Sequence, residues 1–298
     1  MQKNPTRLKG RVLIIAGSDS GGGAGIQGDI KTVTALGGYA ATAITALTAQ
    51  NTQGVFGIHD VPDDFIRKQI TLVLDDIGAD AFKTGMLHKA SVIETVADVI
   101  SSTRRGEAGR GALSEDISQK SPHPNLPPEG EGIPLALDPV MFAKGGAALL
   151  DPSAIATLKA RLIPLAAVIT PNIPEAEHLA AIPIGGTEDM QRAAAIILKM
   201  GCRAVLIKGG HLEGDIVTDM LVSERGVETF TQPRLSTRHT HGTGCALASA
   251  IATGLAQGMS LSAAVARARD YVRKAILAAP GFGKGHGPLG HAHTLNQG

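Results

Sequence analysis

Short apolar runs alternate along the chain with longer stretches whose apolar residues recur at helical spacing. The runs at 11–16 (RVLIIA), 41–47, 81–84, 134–137, 167–170 and 204–208 predict strands, being brief, apolar and often bounded by turn residues. Between them, 24–36, 63–75, 90–100, 152–162, 174–181 and 188–200 predict helices, and 244–257 and 260–278 make the last third helical. Two further runs, 216–222 and 227–231, flank the turn Ser223–Gly226 and predict an antiparallel hairpin at a sheet edge. Alternation of this kind implies an α/β fold with three layers (αβα), in which helices cover both faces of a mostly parallel central sheet. No break divides it, so one domain is expected over 10–298. The segment 101–132 departs from the pattern. Rich in Gly, Pro, Ser and charge with almost nothing to bury, it predicts a disordered surface insertion.

Composition narrows the class of protein. Of 298 residues 43% are apolar but only 3% aromatic, so the core must be built from aliphatic side chains. Lys and Arg exceed Asp and Glu by one, which leaves no field to attract nucleic acid or an anionic membrane. The first ten residues carry no apolar h-region, and no apolar run approaches a membrane span. Two cysteines, Cys202 and Cys245, cannot make a disulfide framework, and a reducing, cytoplasmic setting is expected.

Candidate chemistry collects at the predicted strand ends, where open parallel sheets bind their ligands. There stand Gly17–Gly23, then Thr48, Gln50 and Asn51, then Lys83–Met86, Asp138–Val140, Asn172–Glu175 and Lys208–His211. The segment Gly242-Thr243-Gly244-Cys245 then runs directly into a helix of small residues. A helix start of this kind offers unpaired N–H groups and a positive dipole end to an anion, and it places Cys245 where a thiol pKa tends to fall. Two other readings weaken on inspection. Gly23–Gly28 satisfies G-x-G-x-x-G, but the second strand ends without the acidic residue that a dinucleotide ribose needs. No G-x-x-x-x-G-K-[ST] occurs. The pairs His239/His241 and His291/His293 lack the further ligands of a zinc site, and Cys202 reads as core packing. Anion-holding backbone, Lys208 and the acids Asp138 and Glu175, which suit Mg2+, together point to phosphoryl transfer.

The stretches AGSDSGGGAGIQGDIKT, ITALTAQNTQGV, KTGML, LDPVM, ITPNIPEAE, IKGGH and THGTGC occur in this order over nearly the whole chain. Together they resemble the hydroxymethylpyrimidine/phosphomethylpyrimidine kinases of thiamine biosynthesis, within the ribokinase-like superfamily. The resemblance implies a homodimeric enzyme using ATP and Mg2+ on 4-amino-5-hydroxymethyl-2-methylpyrimidine and then on its monophosphate. It further implies that Asp29 and Gln50 hydrogen-bond the aminopyrimidine, while Gly17, Ala24, Met86 and Val140 line its pocket. Asn172 and Glu175 would hold Mg2+ largely through water. Asp138, Asn172, Glu175, Lys208 and Thr243 would serve ATP. Lys208 would lie near the transferred phosphate, and Gly242, Thr243, Gly244 and Cys245 would form the anion hole, with Cys245 as base. Pyridoxal kinase activity and a non-catalytic sensor on the same fold are the competing expectations.

Overall fold

The structure is a computed structural model and describes residues 9–104, 132–143, 146 and 149–295. Most of the predicted insertion, 105–131, lies outside these residues. Its first four residues, 101–104, instead continue a helix.

Eight strands make one sheet in the order β10-β9-β8-β7-β6-β5-β1-β2. Strand β1 (Arg11–Ala16) lies between β2 (Tyr39–Ile44) and β5 (Ala81–Thr84), parallel to both. The parallel run continues through β6 (Leu135–Leu137), β7 (Val168–Ile169) and β8 (Ala204–Ile207). The hairpin of β9 (Ile216–Ser223) and β10 (Gly226–Pro233) closes that edge antiparallel, as the sequence predicts.

Side chains of β1 show why the sheet needs a cover on each face, since successive residues point to opposite sides. Leu13 and Ile15 enter one core with buried residues of α2 (Asp63–Asp76), α3 (Ala90–Arg104), α4 (Pro152–Thr157), α5 (Ile173–Ala180) and α6 (Thr187–Leu198). Val12, Ile14 and Ala16 enter the other core, with α1 (Gly25–Ala35), α7 (Thr243–Ala256) and α8 (Leu261–Leu277). These are the three expected layers. Helix α7 is buried continuously from Ala246 to Gly254, because its Ala, Gly and Ser side chains let it press against the sheet. That depth brings its first turn directly over the strand ends.

One predicted strand is wrong in a way that shapes the site. The run 41–47 is broken at Thr45, whose N–H donates to the Ala16 carbonyl at 3.1 Å and whose hydroxyl donates to the Met86 carbonyl at 2.7 Å. Beyond it the chain leaves the sheet as β3 (Ala46–Asn51), paired antiparallel with β4 (Gly54–Asp60) in a separate ribbon. Unbroken small and β-branched residues gave the sequence no signal of that turn. Strand β4 escaped notice because its two glycines and exposed Phe56 do not read as a half-buried strand. Among the described residues no helix is long and apolar enough to cross a membrane.

Candidate active site

A cavity of about 740 Å3 opens along the carboxyl ends of the parallel strands. Its floor near β1 is a loop organised by one acid. Asp19 accepts the N–H of Gly21 at 2.7 Å, of Gly23 at 3.1 Å and of Ala24 at 2.8 Å. Burial would raise the Asp19 pKa, but hydrogen bonds from His241 and from these amides outweigh it and hold the carboxyl below its usual range. The loop amides therefore serve Asp19. That disposes of the dinucleotide reading, whose pyrophosphate requires those N–H groups.

The anion hole lies across the cavity, at the start of α7. Gly242 precedes it with φ 84°, and a Cβ there would come within 1.9 Å of the Gly23 carbonyl oxygen. Only glycine fits, on both counts. No side chain caps α7; the Thr243 N–H donates to the Thr240 carbonyl at 3.4 Å, the N–H groups of Gly244 and Cys245 have no side-chain cap, and residues 242–245 line the cavity. Lys208, just beyond β8, reaches over this helix start, and a Cβ on Gly244 would lie 3.2 Å from its Nζ. The same ammonium is 3.0 Å from Asp138 Oδ1 and 3.9 Å from Glu175 Oε2. Burial lowers the Lys208 pKa, yet the two carboxylates outweigh it and raise the value overall, so the group stays charged.

Asn172 and Glu175 form a reciprocal capping box on α5. The Glu175 N–H donates to Asn172 Oδ1 at 2.9 Å, and the Asn172 N–H donates to Glu175 Oε2 at 2.8 Å. The box fixes the carboxylate at the cavity wall. Burial and the neighbouring Asp138 push the Glu175 pKa up to about 7, against the opposing pull of Lys208 and the Asn172 N–H. Two buried carboxylates and one ammonium leave an excess of negative charge that a divalent cation would relieve. Among the described residues no group of three or more His, Cys, Asp or Glu is arranged to hold a metal. A cation here would therefore complete its shell with water and phosphate oxygens, as Mg2+ commonly does.

Most of the residues expected from the sequence meet at this one cavity. Gly17, Ala24, Gln50, Met86 and Val140 line one part of it, and Asp138, Asn172, Glu175, Lys208 and residues 242–245 line the rest. Asp29 does not join them. It is fully buried beneath α7, with Oδ2 2.7 Å from Lys83 Nζ and Oδ1 accepting from Ser249 Oγ at 2.7 Å. Both oxygens are engaged inside the core, so the expected contact with a substrate ring is replaced by an internal ion pair.

The expectation for the Cys245 thiol is also corrected. Burial dominates its environment and pushes the pKa up to about 12, despite the opposing influence of Lys83. Asp29 and Asp138 add to the effect of burial, so the thiol pKa is raised where a helix-start position alone would lower it. Both cysteines share this property, since burial raises Cys202 to about 11. A pH titration of absorbance at 240 nm should show no thiolate between pH 6 and 9. A thiolate signal that Cys245→Ala abolishes would contradict this description.

Sequence reasoning missed two groups. His241, which the sequence offers only as one half of an H-x-H pair, lies between Asp19 and Gln50. Asp219, on β9, accepts the Gly209 N–H at 2.9 Å through one oxygen and the Arg269 Nε–H at 2.7 Å through the other. It thereby secures the turn that follows Lys208. Nothing local in the sequence links Asp219 to Arg269, fifty positions away on α8.

A sheet of this topology, with a helix start, a lysine and two carboxylates set to neutralise phosphate, is that of the ribokinase-like small-molecule kinases. The family model described as phosphomethylpyrimidine kinase matches residues 19–107 and 124–290, and the chain belongs to that family. The hydroxymethylpyrimidine/phosphomethylpyrimidine kinase of Streptomyces coelicolor is 44% identical over 96% of this chain and 96% of its own length. The thiamine biosynthesis bifunctional protein ThiED of Geobacter sulfurreducens is 47% identical over 95% of this chain, which spans only 52% of that protein. Among solved structures, an ADP complex of Bacillus subtilis pyridoxal kinase has a TM-score of 0.81 at 31% identity, over 97% of this chain and 100% of that one.

Proposed function

We infer that the chain is a kinase that transfers the γ-phosphoryl group of ATP to 4-amino-5-hydroxymethyl-2-methylpyrimidine, and then phosphorylates the monophosphate to the diphosphate. The observation that carries this reading is the joint position of Lys208 and the uncapped start of α7. Both face a cavity whose opposite wall holds Gln50, Met86 and Val140. A flat heteroaromatic ring fits between the apolar Met86 and Val140 and the amide of Gln50. Its hydroxymethyl group would then point to residues 242–245. Phosphoryl transfer passes through a loose transition state, so positioning and charge neutralisation supply most of the catalysis. Lys208 and the amides of α7 would do so at the migrating oxygens, and they would also receive the phosphate already present on the second substrate. Mg2+ held by Asp138, Glu175 and Asn172, largely through water, would add positive charge beside the phosphate oxygens.

A neutral Cys245 thiol cannot begin the reaction as a base. It would instead accept the hydrogen bond of the alcohol and relay its proton, giving the S–H proton to an oxygen of the migrating phosphoryl group as the hydroxyl proton reaches sulfur. Cys245→Ala is therefore expected to lower kcat by about tenfold to a hundredfold, toward the low end for general acid–base groups, with KM for ATP within about twofold. Near-wild-type turnover would remove Cys245 from the proton path. Glu175→Gln should shift the Mg2+ titration of activity to higher concentration, and an unchanged titration would contradict a metal role.

Pyridoxal kinase activity is the second reading, favoured by the close fold match to the Bacillus pyridoxal kinase. Coupled assays of ADP release with the pyrimidine alcohol, its monophosphate and pyridoxal separate the two. A bifunctional pyrimidine kinase must turn over the first two, and turnover of pyridoxal alone would overturn the reading. A homodimer in the cytoplasm belongs to the same proposal, and sedimentation velocity tests the dimer.

A further inference from the structure

We propose that the C-terminal segment 281–290 is a strap that fixes the distance between the acceptor end of the cavity and the anion hole. Through that distance it sets the balance between phosphorylation of the pyrimidine alcohol and of its monophosphate. This rests on the cavity being the pyrimidine-kinase site described above.

The strap follows α8 and passes between two parts of the site that lie far apart in sequence. On one side it holds Thr52, in the turn that joins β3 to β4. The His286 N–H donates to the Thr52 carbonyl at 2.9 Å, and the Gly285 N–H donates to Thr52 Oγ1 at 3.2 Å. On the other side it holds the segment that enters the anion hole. The His241 N–H donates to the Gly287 carbonyl at 3.2 Å, and His286 Nδ1–H donates to the Arg238 carbonyl at 3.1 Å. Leu289 forms a small buried cluster with Ala246, the residue after Cys245 on α7, and with Ala275 of α8. The Gly290 N–H donates to the Ala275 carbonyl at 2.9 Å and fixes the far end.

The turn held by the strap belongs to the acceptor end. Thr52 lines the cavity, and Val55 and Ile58 of β4 pack with Val140 against a cluster that contains Met86. This contact has no slack. A Cβ on Gly285 would lie 2.0 Å from the Thr52 carbonyl oxygen, and backbone cannot rotate aside as a side chain can. A larger residue must therefore drive strap and turn apart. The strap is tied to α7, α8 and the 238–241 segment, whereas the turn is the tip of a two-stranded ribbon outside the main sheet. The turn gives way, and the acceptor end moves off from the anion hole.

The two acceptors respond differently to such a gap. The alcohol attacks through the oxygen on its ring methylene, whereas the monophosphate attacks through a phosphate oxygen two bonds further out. The longer reach spans the wider gap. A misplacement of about 1 Å costs on the order of a hundredfold in rate, so the spacing decides which acceptor is served. The strap is thus a positioning element, acting through the Thr52 turn and the entry to α7.

The test compares the full-length wild type with Gly285→Ala, using ATP and each acceptor in turn. The variant should lower kcat for the alcohol by about tenfold to a hundredfold and for the monophosphate by less than about threefold, with KM for ATP within about twofold. Equal losses with both acceptors would mark a merely structural role and overturn the proposal, as would a larger loss with the monophosphate or no loss at all. Should Gly285→Ala fail to fold, Thr52→Val removes only the hydroxyl that accepts the Gly285 N–H. It should shift the ratio of the two rates in the same direction by about threefold or more, and an unchanged ratio overturns the proposal. Hydrogen exchange in the wild type is independent of activity. The amides of Gly285 and His286 should be protected, and exchange at the rate of an unstructured peptide would show that the strap is not seated on Thr52. Failure of the wild type to phosphorylate either acceptor would sink the function proposed above together with this inference, whereas the other outcomes bear on the strap alone.

Discussion

Lys208→Met is expected to lower kcat by about 10²–10³, the range found when a preorganised charge-stabilising donor is removed from a site of phosphoryl or acyl transfer. The ammonium lies between the helix start and the two carboxylates, within 3.0 Å of Asp138 and over the Gly244 position. It can therefore offset charge on a phosphate oxygen bound by the α7 amides. Methionine keeps much of the length and the apolar stem, so the loss is chiefly electrostatic. A second consequence follows from its neighbours. Without the lysine, Asp138 and Glu175 face each other uncompensated, and one should retain a proton, which weakens any bound cation. Steady-state ADP release checks the rate, and a kcat within about threefold of wild type would remove Lys208 from the chemistry.

Lys83→Met should have the largest effect on stability. Lys83 and Asp29 are both fully buried, joined at 2.7 Å, with Ser249 on the second carboxylate oxygen. Burial opposes both charges and raises the Asp29 pKa, but at Lys83 the facing carboxylate outweighs burial and raises the pKa as well. Removing one partner leaves the other charged or forced to protonate in the core, a loss of about 3–5 kcal/mol. Replacing both partners by apolar residues should recover most of that loss, since the penalty comes from the unpaired charge rather than from any great net strength of the pair. Urea unfolding of the two single variants and the double variant decides this. A double variant as unstable as the sum of the singles would show that the two charges act independently. Asp29, on α1, and Ser249, one turn beyond Cys245 on α7, tie together two helices of the same layer. Kinetic loss in Lys83→Met would accordingly accompany a lowered midpoint, and Lys208→Met should lower the midpoint less, because Glu175 can take up a proton when the ammonium is removed.

Much of this protein is decided by local pattern. The run RVLIIA is apolar at every position after its arginine, which suits an interior strand of a sheet covered on both faces. Asn172-x-x-Glu175 before an apolar run specifies a capping box, and the box appears as written. Gly242 followed by small residues specifies a helix start that can approach a ligand. Those features rest on backbone conformation and on neighbours within a few residues, which sequence records directly. Other properties depend on which distant atoms surround a group. The Cys245 thiol is pushed up by the surroundings the fold gives it, with Asp29 and Asp138 adding to desolvation, whereas a helix-start position alone would argue the opposite. Asp29 turns inward because Lys83, fifty-four positions away, is buried beside it. The chain leaves the sheet beyond Thr45, whose hydroxyl donates to the Met86 carbonyl on the segment after β5. His241 meets Asp19 and Gln50 only because the fold brings three separate segments together. Propensity and pattern act through the covalent neighbourhood, whereas desolvation and charge pairing act through space, and only the folded arrangement states who the spatial neighbours are.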